Sequence, residues 1–384
     1  MYPRRLNLAA LIEHKSLFLF GARQTGKSTL LAQSFPKART FNLLEADTFR
    51  TLSARPETIR QTLTSADQLV IVDEIQKLPE LMDEIHLMIE QQPQRKFILT
   101  GSSARTLKKG GANLLAGRAW LCSLHPLVAP ELNFERLEDR LTRGSLPAVI
   151  DSPYFEEDLR AYVGTYLHEE IQAEGLSRSI GHFSRFLEVA GLCNGEQLNF
   201  TAVANDTGVP AKVIREYYHI LEDTLLGYLL PAFKKTVKRK AMATAKFYLF
   251  DVGIANTLMK RGPVTMGSES FGKALEHLIF LELKAYNDYQ RLHYQLTYWR
   301  SRSGLEVDFL INDAIAIEVK ASQKISTQDC KGIRALAEEV PLQRKIIVTN
   351  QAFMQTLDDG IELVPVDDFL KMLWSGELMN AIGH

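Results

Sequence analysis

The sequence predicts an α/β protein of several domains, and three stretches carry that prediction. "SLFLFGARQTGKSTLL" joins an apolar strand, a glycine-bounded loop and a helix start. "LNFTAVANDTGVPAKVIREYYHI" has helix–turn–helix spacing with glycine in the turn. "GLEVDFLINDAIAIEVK" alternates with period two on both sides of Asn312-Asp313, the mark of a strand hairpin. At 384 residues the chain is too long for one ordinary core, and 46% hydrophobic residues fit packed globular structure. The expected division is an α/β domain over 1–130 and a helical connector over 131–185. A winged helix over 186–262 and a second α/β domain over 263–384 follow.

The formal net charge of −1 confines any nucleic-acid surface to a local patch. Cys122, Cys193 and Cys330 are too widely spaced to read as a metal site or a disulfide framework, which fits a reducing cytoplasm. No apolar stretch approaches the ~20 residues of a membrane span. The N-terminal apolar run is broken by Glu13, His14 and Lys15, unlike a signal peptide. The expectation is a soluble cytoplasmic protein with no membrane partner.

In the first domain, Gly21-x4-Gly26-Lys27-Ser28 is a phosphate-binding loop in its required strand–loop–helix context. The backbone of Gly21, Ala22, Arg23, Gln24, Thr25, Gly26, Lys27, Ser28 and Thr29 would curl around phosphate oxygens, helped by the helix dipole. Lys27 would reach the β- and γ-phosphates of ATP, and Ser28 would ligate Mg²⁺. "QLVIVDEIQKL" is a buried strand ending in Asp73-Glu74, at the edge that faces the ligand crevice of an open sheet. Asp73 would hold Mg²⁺ through water, and Glu74 would orient or deprotonate the attacking water. "KFILTGSS" supplies another strand with Thr100 and Ser102 at its polar tip, and Ser102 is the candidate sensor of the γ-phosphate. A helix is expected across "ARTLKKGGANLLAGR", followed by the strand "AWLCSL".

"GARQTGKST", "IVDEIQ", "LTGSS" and "LAGRAWLCSLHPL" make residues 1–130 resemble the AAA-type P-loop ATPases of bacteria and archaea that carry a nuclease-like C-terminal region. The resemblance implies ATP hydrolysis at subunit interfaces and a homo-oligomer, a ring. It also implies an arginine finger acting on a neighbouring subunit, here Arg118, with Arg105 as the competitor.

Between Glu131 and Arg185, Tyr154, Phe155, Tyr162, Tyr166 and Phe183 are spaced as packing faces of helices. Beyond them, a helix over Thr201–Asn205, the turn "DTGVP" and a helix from Pro210 give the winged-helix order. The strand pair of "GYLLPAFKKTVKRKAMATAKFYLFD" forms its wing. Lys234, Lys235, Lys238, Arg239 and Lys240 concentrate positive charge at the wing tip, and Arg215 lies on the second helix. These residues are the candidate DNA contacts, reading shape or backbone rather than base sequence.

In the last region, "ESFGKALEHLIFLELKAYNDY" is an amphipathic helix carrying Glu276. A three-residue loop, Asn312 to Ala314, sets Asp308 opposite Glu318 and Glu306 opposite Lys320 on one face of the hairpin. Helix Glu, strand Asp and Glu-x-Lys in this order resemble the restriction-endonuclease-like PD-(D/E)xK core. Glu276, Asp308 and Glu318 then read as Mg²⁺ ligands, and Lys320 as the group that activates water or stabilises charge. The combined expectation is an ATP-hydrolysing oligomer that remodels or translocates on DNA, forked or branched, with a module that cuts or grips it. The alternatives are a nucleotide-controlled switch that recruits a protein partner, and an ATP-licensed nuclease.

Overall fold

Five short strands form the first sheet: β1 (Ser16–Phe20), β2 (Arg39–Asn42), β3 (Leu69–Asp73), β4 (Lys96–Gly101) and β5 (Ala119–Ser123). The computed structural model describes residues 2–102, 114–166, 180–236, 242, 244–262 and 264–381. All pairings in this sheet are parallel, in the order β2-β3-β4-β1-β5. Alternate residues of one strand enter different cores. Phe18 and Phe20 join Val70, Val72, Phe97 and Leu99 on one face, while Leu17 and Leu19 join Ile71 and Ile98 on the other. Burial on both faces explains why these strands read as unbroken apolar runs. Of the helix expected across 104–118, the described part is a 3₁₀ turn, Leu114–Gly117; Arg105 lies outside the described residues.

In the connector, short helices Leu137–Arg143, Pro147–Ile150 and Phe155–Ala161 lead to helix Ile180–Leu192. Tyr162 and Phe183 are core, as their spacing predicts, but Tyr154 is 74% exposed because it occupies the N-cap turn of Phe155–Ala161.

Helices Phe200–Thr207 and Ala211–Asp223 flank a turn in which Gly208 takes φ +67°, a conformation that favours glycine. Strands β6 (Gly227–Leu230) and β7 (Lys246–Leu249) then pair antiparallel, Gly227 with Leu249 and Leu230 with Lys246. The described parts of the segment between them are anchored. Phe233 N–H donates to Tyr298 O at 2.7 Å, Tyr298 N–H to Pro231 O at 3.1 Å, and Met242 N–H to Arg300 O at 2.8 Å. Both ends of the expected tip are thus hydrogen-bonded to the edge of the last sheet, whose unpaired backbone groups accept a partner.

That sheet contains β8 (Leu296–Arg300), β9 (Glu306–Ile311), β10 (Ile315–Lys320), β11 (Arg344–Thr349), β12 (Gln355–Thr356) and β13 (Ile361–Pro365), in the order β12-β13-β11-β10-β9-β8. The 8-9-10 run is antiparallel and β10-β11-β13 is parallel. Ile311 faces Ile315 and Phe309 faces Ile317, the register a three-residue loop dictates, so Asp308 is set against Glu318 as expected. The 22-residue helix Glu269–Gln290 packs against β10, and helix Val366–Ser375 closes the fold. One apolar cluster runs from Leu141 and Phe186 through Tyr218, Tyr248 and Phe280 to Phe309 and Trp374. The expected boundary at 262/263 therefore does not separate two cores.

Candidate functional site

The C-terminal ends of β1, β3 and β4 converge on the phosphate loop. Gly26 takes φ +93° and Gln24 φ +62° as the chain curls into helix Lys27–Ser34. At Gly21 a Cβ would lie 2.5 Å from Leu124 O, so the loop and the chain after β5 approach more closely than any side chain allows. Lys27 is buried, its ammonium donating to Gly21 O at 2.6 Å and Ala22 O at 3.2 Å. Ser28 Oγ donates to Asp73 Oδ2 at 3.4 Å. Thr100 Oγ1 bonds Asp73 Oδ1 and accepts the Glu74 N–H at 3.3 Å. Glu74 has φ +61°, an uncommon conformation for a non-glycine residue and one found at functional turns. Its carboxylate accepts from Gln76 Nε2.

Of the expected residues, Lys27, Ser28, Asp73 and Glu74 thus gather at one place. Ser102 is buried at the strand tip but makes none of these bonds; Thr100 makes them instead. Gln76 is a residue the sequence reading missed. Its only signal is that a polar side chain follows Asp73-Glu74 by two positions, in a tight 3₁₀ turn. Arg4 was also missed. It donates to Thr25 O of the loop and to His125 O at 2.6 Å, and pairs with Glu131 at 3.1 Å. Tyr162 OH donates to Arg23 O at 3.1 Å. The Ser28 hydroxyl and Asp73 carboxylate offer adjoining hard oxygen donors beside the loop, a donor set that fits Mg²⁺.

Arg118 precedes β5 where Ala119 pairs with Ser16, at the opposite end of the sheet from the phosphate loop, and it bonds Glu90 at 2.6 Å. Within its own chain it does not face the phosphate loop.

The second candidate cluster lies on the last sheet. Asp308 and Glu318 are both buried, and Lys320 Nζ is 2.6 Å from Glu318 Oε1. The sequence reading missed Lys246. Its ammonium is 2.6 Å from Glu306, 3.1 Å from Glu276 and 3.7 Å from Asp308. A polar pair, Lys246 and Tyr248, on one face of an otherwise apolar strand was the available signal. Burial, then the neighbouring Glu318 and Glu276, raise the Asp308 pKa well above the usual carboxylate range. Burial also pushes Glu318 up to about 7 against the pull of Lys320. Burial works against the charge on Lys246, but Tyr248, Glu276, Asp308 and Glu306 outweigh it and hold the ammonium firmly protonated. Among the described residues no three His, Cys, Asp or Glu side chains are arranged to hold a metal ion. The expected Mg²⁺ site at Glu276, Asp308 and Glu318 does not fit this arrangement.

Of the expected DNA contacts, Lys234 and Lys235 are exposed, with Lys235 bonded to Asp313 at 2.7 Å. Arg215 is exposed, its guanidinium 5.2 Å from the Phe200 ring centre. Lys238, Arg239 and Lys240 lie outside the described residues. No helix among the described residues is long and apolar enough to cross a membrane.

Three family matches cover successive parts of the chain. Residues 13–133 match an AAA domain, residues 134–265 a domain of unknown function (DUF8612), and residues 271–369 another (DUF4143). Uncharacterized proteins of Mycobacterium bovis and Mycobacterium tuberculosis are each 24% identical over 385 residues, covering 95% of this chain and 83% of theirs. One from Haemophilus influenzae is 22% identical over 413 residues, covering 96% of this chain and 98% of its own. Among solved structures, a signal transduction ATPase with numerous domains and a tetratricopeptide repeat sensor, from Pyrococcus horikoshii, is 13% identical. That comparison spans 76% of this chain but only 48% of the other, at a TM-score of 0.25. The match to an AAA domain over 13–133 falls on the strand–loop–helix and the Asp73 strand, so that part of the chain is similar to P-loop ATPase domains of the AAA type.

Proposed function

We propose that the chain is a Mg²⁺-dependent ATPase that works as a homo-oligomer on DNA. The observation that carries the ATPase part of the reading is the convergence of Ser28, Asp73 and Thr100 beside the Lys27 loop. Lys27 turns from Gly21 O to the phosphates, where its charge offsets the negative charge of the transferring group. Glu74 accepts a proton from the water that attacks the γ-phosphorus, as the bond to the β-phosphate oxygen breaks. Ser28 and Asp73 would hold Mg²⁺, which would supply charge neutralisation at the phosphates. Arg118 acts on a neighbouring copy, since it does not face its own site. DNA is engaged through Arg215 on the helix Ala211–Asp223 and through Lys234 and Lys235 after β6, with Lys238, Arg239 and Lys240 as further candidates in the same basic run. The last region, restriction-endonuclease-like in element order, adds grip.

A second reading, a nucleotide-controlled switch that recruits a protein, is favoured by one observation. The loop carbonyls of Arg23 and Thr25 are held by Tyr162 and Arg4, and Arg4 also contacts Tyr289 at 3.4 Å. Any change in the loop on nucleotide binding is therefore felt in the connector and in the helix Glu269–Gln290.

Steady-state ATP hydrolysis with and without forked DNA, with Glu74→Gln as the blank, separates the two. A tenfold rise with DNA, roughly 1.4 kcal/mol of barrier, supports the DNA reading. A rate indifferent to DNA leaves the switch, and no Glu74-dependent hydrolysis removes both.

A further inference from the structure

Lys246 stands among the carboxylates that the sequence reading assigned to a cation. Its side chain is 5% exposed, and its ammonium is within 3.1 Å of both Glu306 and Glu276. It belongs to β7, outside the helix and hairpin that supply the carboxylates. The strand is fixed on both sides of it. Downstream, Tyr248 OH bonds Glu276 at 2.5 Å and its ring stacks on Phe280 with centroids 4.3 Å apart. Asn194 Oδ1 accepts Leu249 N–H at 2.8 Å, and His277 Nε2 lies 2.6 Å from Leu249 O. Upstream, Thr244 O accepts from Tyr298 OH.

The remaining oxygens are largely engaged. Asp308 Oδ2 accepts Val319 N–H at 2.8 Å, and Glu318 Oε1 pairs with Lys320, leaving Glu318 Oε2 buried and unpartnered. Mg²⁺ needs near-octahedral oxygen ligands at about 2.0–2.1 Å. An ammonium in contact with two of the carboxylates takes both the space and the negative charge that would draw it.

We propose that the Lys246 ammonium replaces the divalent cation, so that Glu276, Glu306, Asp308 and Glu318 form a joint fastening the 227–249 hairpin to the C-terminal sheet. The cluster does not cut phosphodiesters. The inference goes beyond the ATPase reading and is tested without nucleotide, so a chain that fails to hydrolyse ATP leaves it standing.

The probe is Mn²⁺, with free ion counted by electron paramagnetic resonance against nucleotide-free full-length protein. Wild type and Asp308→Asn are expected to bind the same amount of Mn²⁺. Lys246→Met is expected to melt lower, to gain an Asp308-dependent Mn²⁺ site at least tenfold tighter than any in wild type, and to regain thermal stability when MnCl₂ is added. Wild-type binding that Asp308→Asn removes would overturn the proposal, as would a folded Lys246→Met that gains no Mn²⁺. If Lys246→Met does not fold, the double variant Lys246→Met/Glu306→Gln decides: recovery of folding supports the ammonium as counter-ion, and no recovery refutes it.

Discussion

Thr100 is fully buried, and one hydroxyl serves both acidic positions of the nucleotide site: it bonds the Asp73 carboxylate and accepts the Glu74 N–H. Replacing it by valine keeps the shape of the side chain but leaves a buried donor and acceptor unmatched, at a cost of about 1–3 kcal/mol. Because the lost bonds orient Asp73 and Glu74 rather than bind nucleotide directly, the loss belongs in turnover more than in affinity. Thr100→Val is therefore expected to lower kcat for ATP by roughly ten- to a hundredfold, with a smaller change in KM. Ser102→Ala, which removes none of these bonds, is expected to change kcat by less than about threefold. Steady-state kinetics on the two variants checks this, and equal damage from both would restore Ser102 as the sensor. The sequence identified a polar strand tip here and pointed to Ser102, whereas the hydroxyl that bonds Asp73 and Glu74 is that of Thr100. That choice depends on β3 lying beside β4, with Val72 paired to Leu99, which brings Asp73 level with Thr100.

The helix Glu269–Gln290 is the element that ties the regions together. Its middle buries Glu282, which accepts Ala129 N–H at 2.9 Å and Trp374 Nε1–H at 2.6 Å and pairs with Arg140. Its last turn places Asp288 against His125 Nε2 at 2.7 Å and against Lys284 at 2.6 Å. Burial alone would raise the Asp288 pKa, but the His125 ring and the Lys284 ammonium outweigh it and hold the group at about 2. The folded-state value is depressed below the ordinary carboxylate value of 3.8, so the Asp288 carboxyl binds fewer protons in the folded than in the unfolded state. Its stabilisation is present above about pH 4 and is lost as the pH falls through 2, and it amounts to roughly 2 kcal/mol. Asp288→Asn is thus expected to lower unfolding free energy at pH 7 by about 2 kcal/mol, with the gap to wild type narrowing below pH 4. Urea unfolding at a series of pH values reads this directly; a gap of constant size would mean that packing, not charge, explains Asp288.

Across the whole molecule, what was legible in the sequence was what is local. The phosphate loop is contiguous, and the hairpin register follows from period-two alternation and a three-residue loop, so both Lys27 and the Asp308–Glu318 pair could be placed in advance. Lys246 could not, because its place depends on a strand from one region packing against the helix and hairpin of another. The anchoring of the basic segment was hidden for a related reason: a run of lysines and arginines reports composition, and says nothing of the flanking backbone at Phe233 and Met242 that bonds to the edge of β8. The same packing argues against the independence of the last two regions. Tyr248 and Phe250 share one core with Phe280 and Phe309, and the β6–β7 hairpin supplies the cation for carboxylates on β9 and the helix Glu269–Gln290. A fragment of residues 263–384 would expose that apolar face to water and leave Glu276, Glu306 and Asp308 without Lys246. It is expected to be insoluble or to melt without cooperativity, whereas residues 134–384, which keep the hairpin, are expected to unfold in one cooperative transition. Circular dichroism melts of the two fragments make the comparison. A cooperatively folded 263–384 fragment would mean that the hairpin rests on a finished domain instead of completing one.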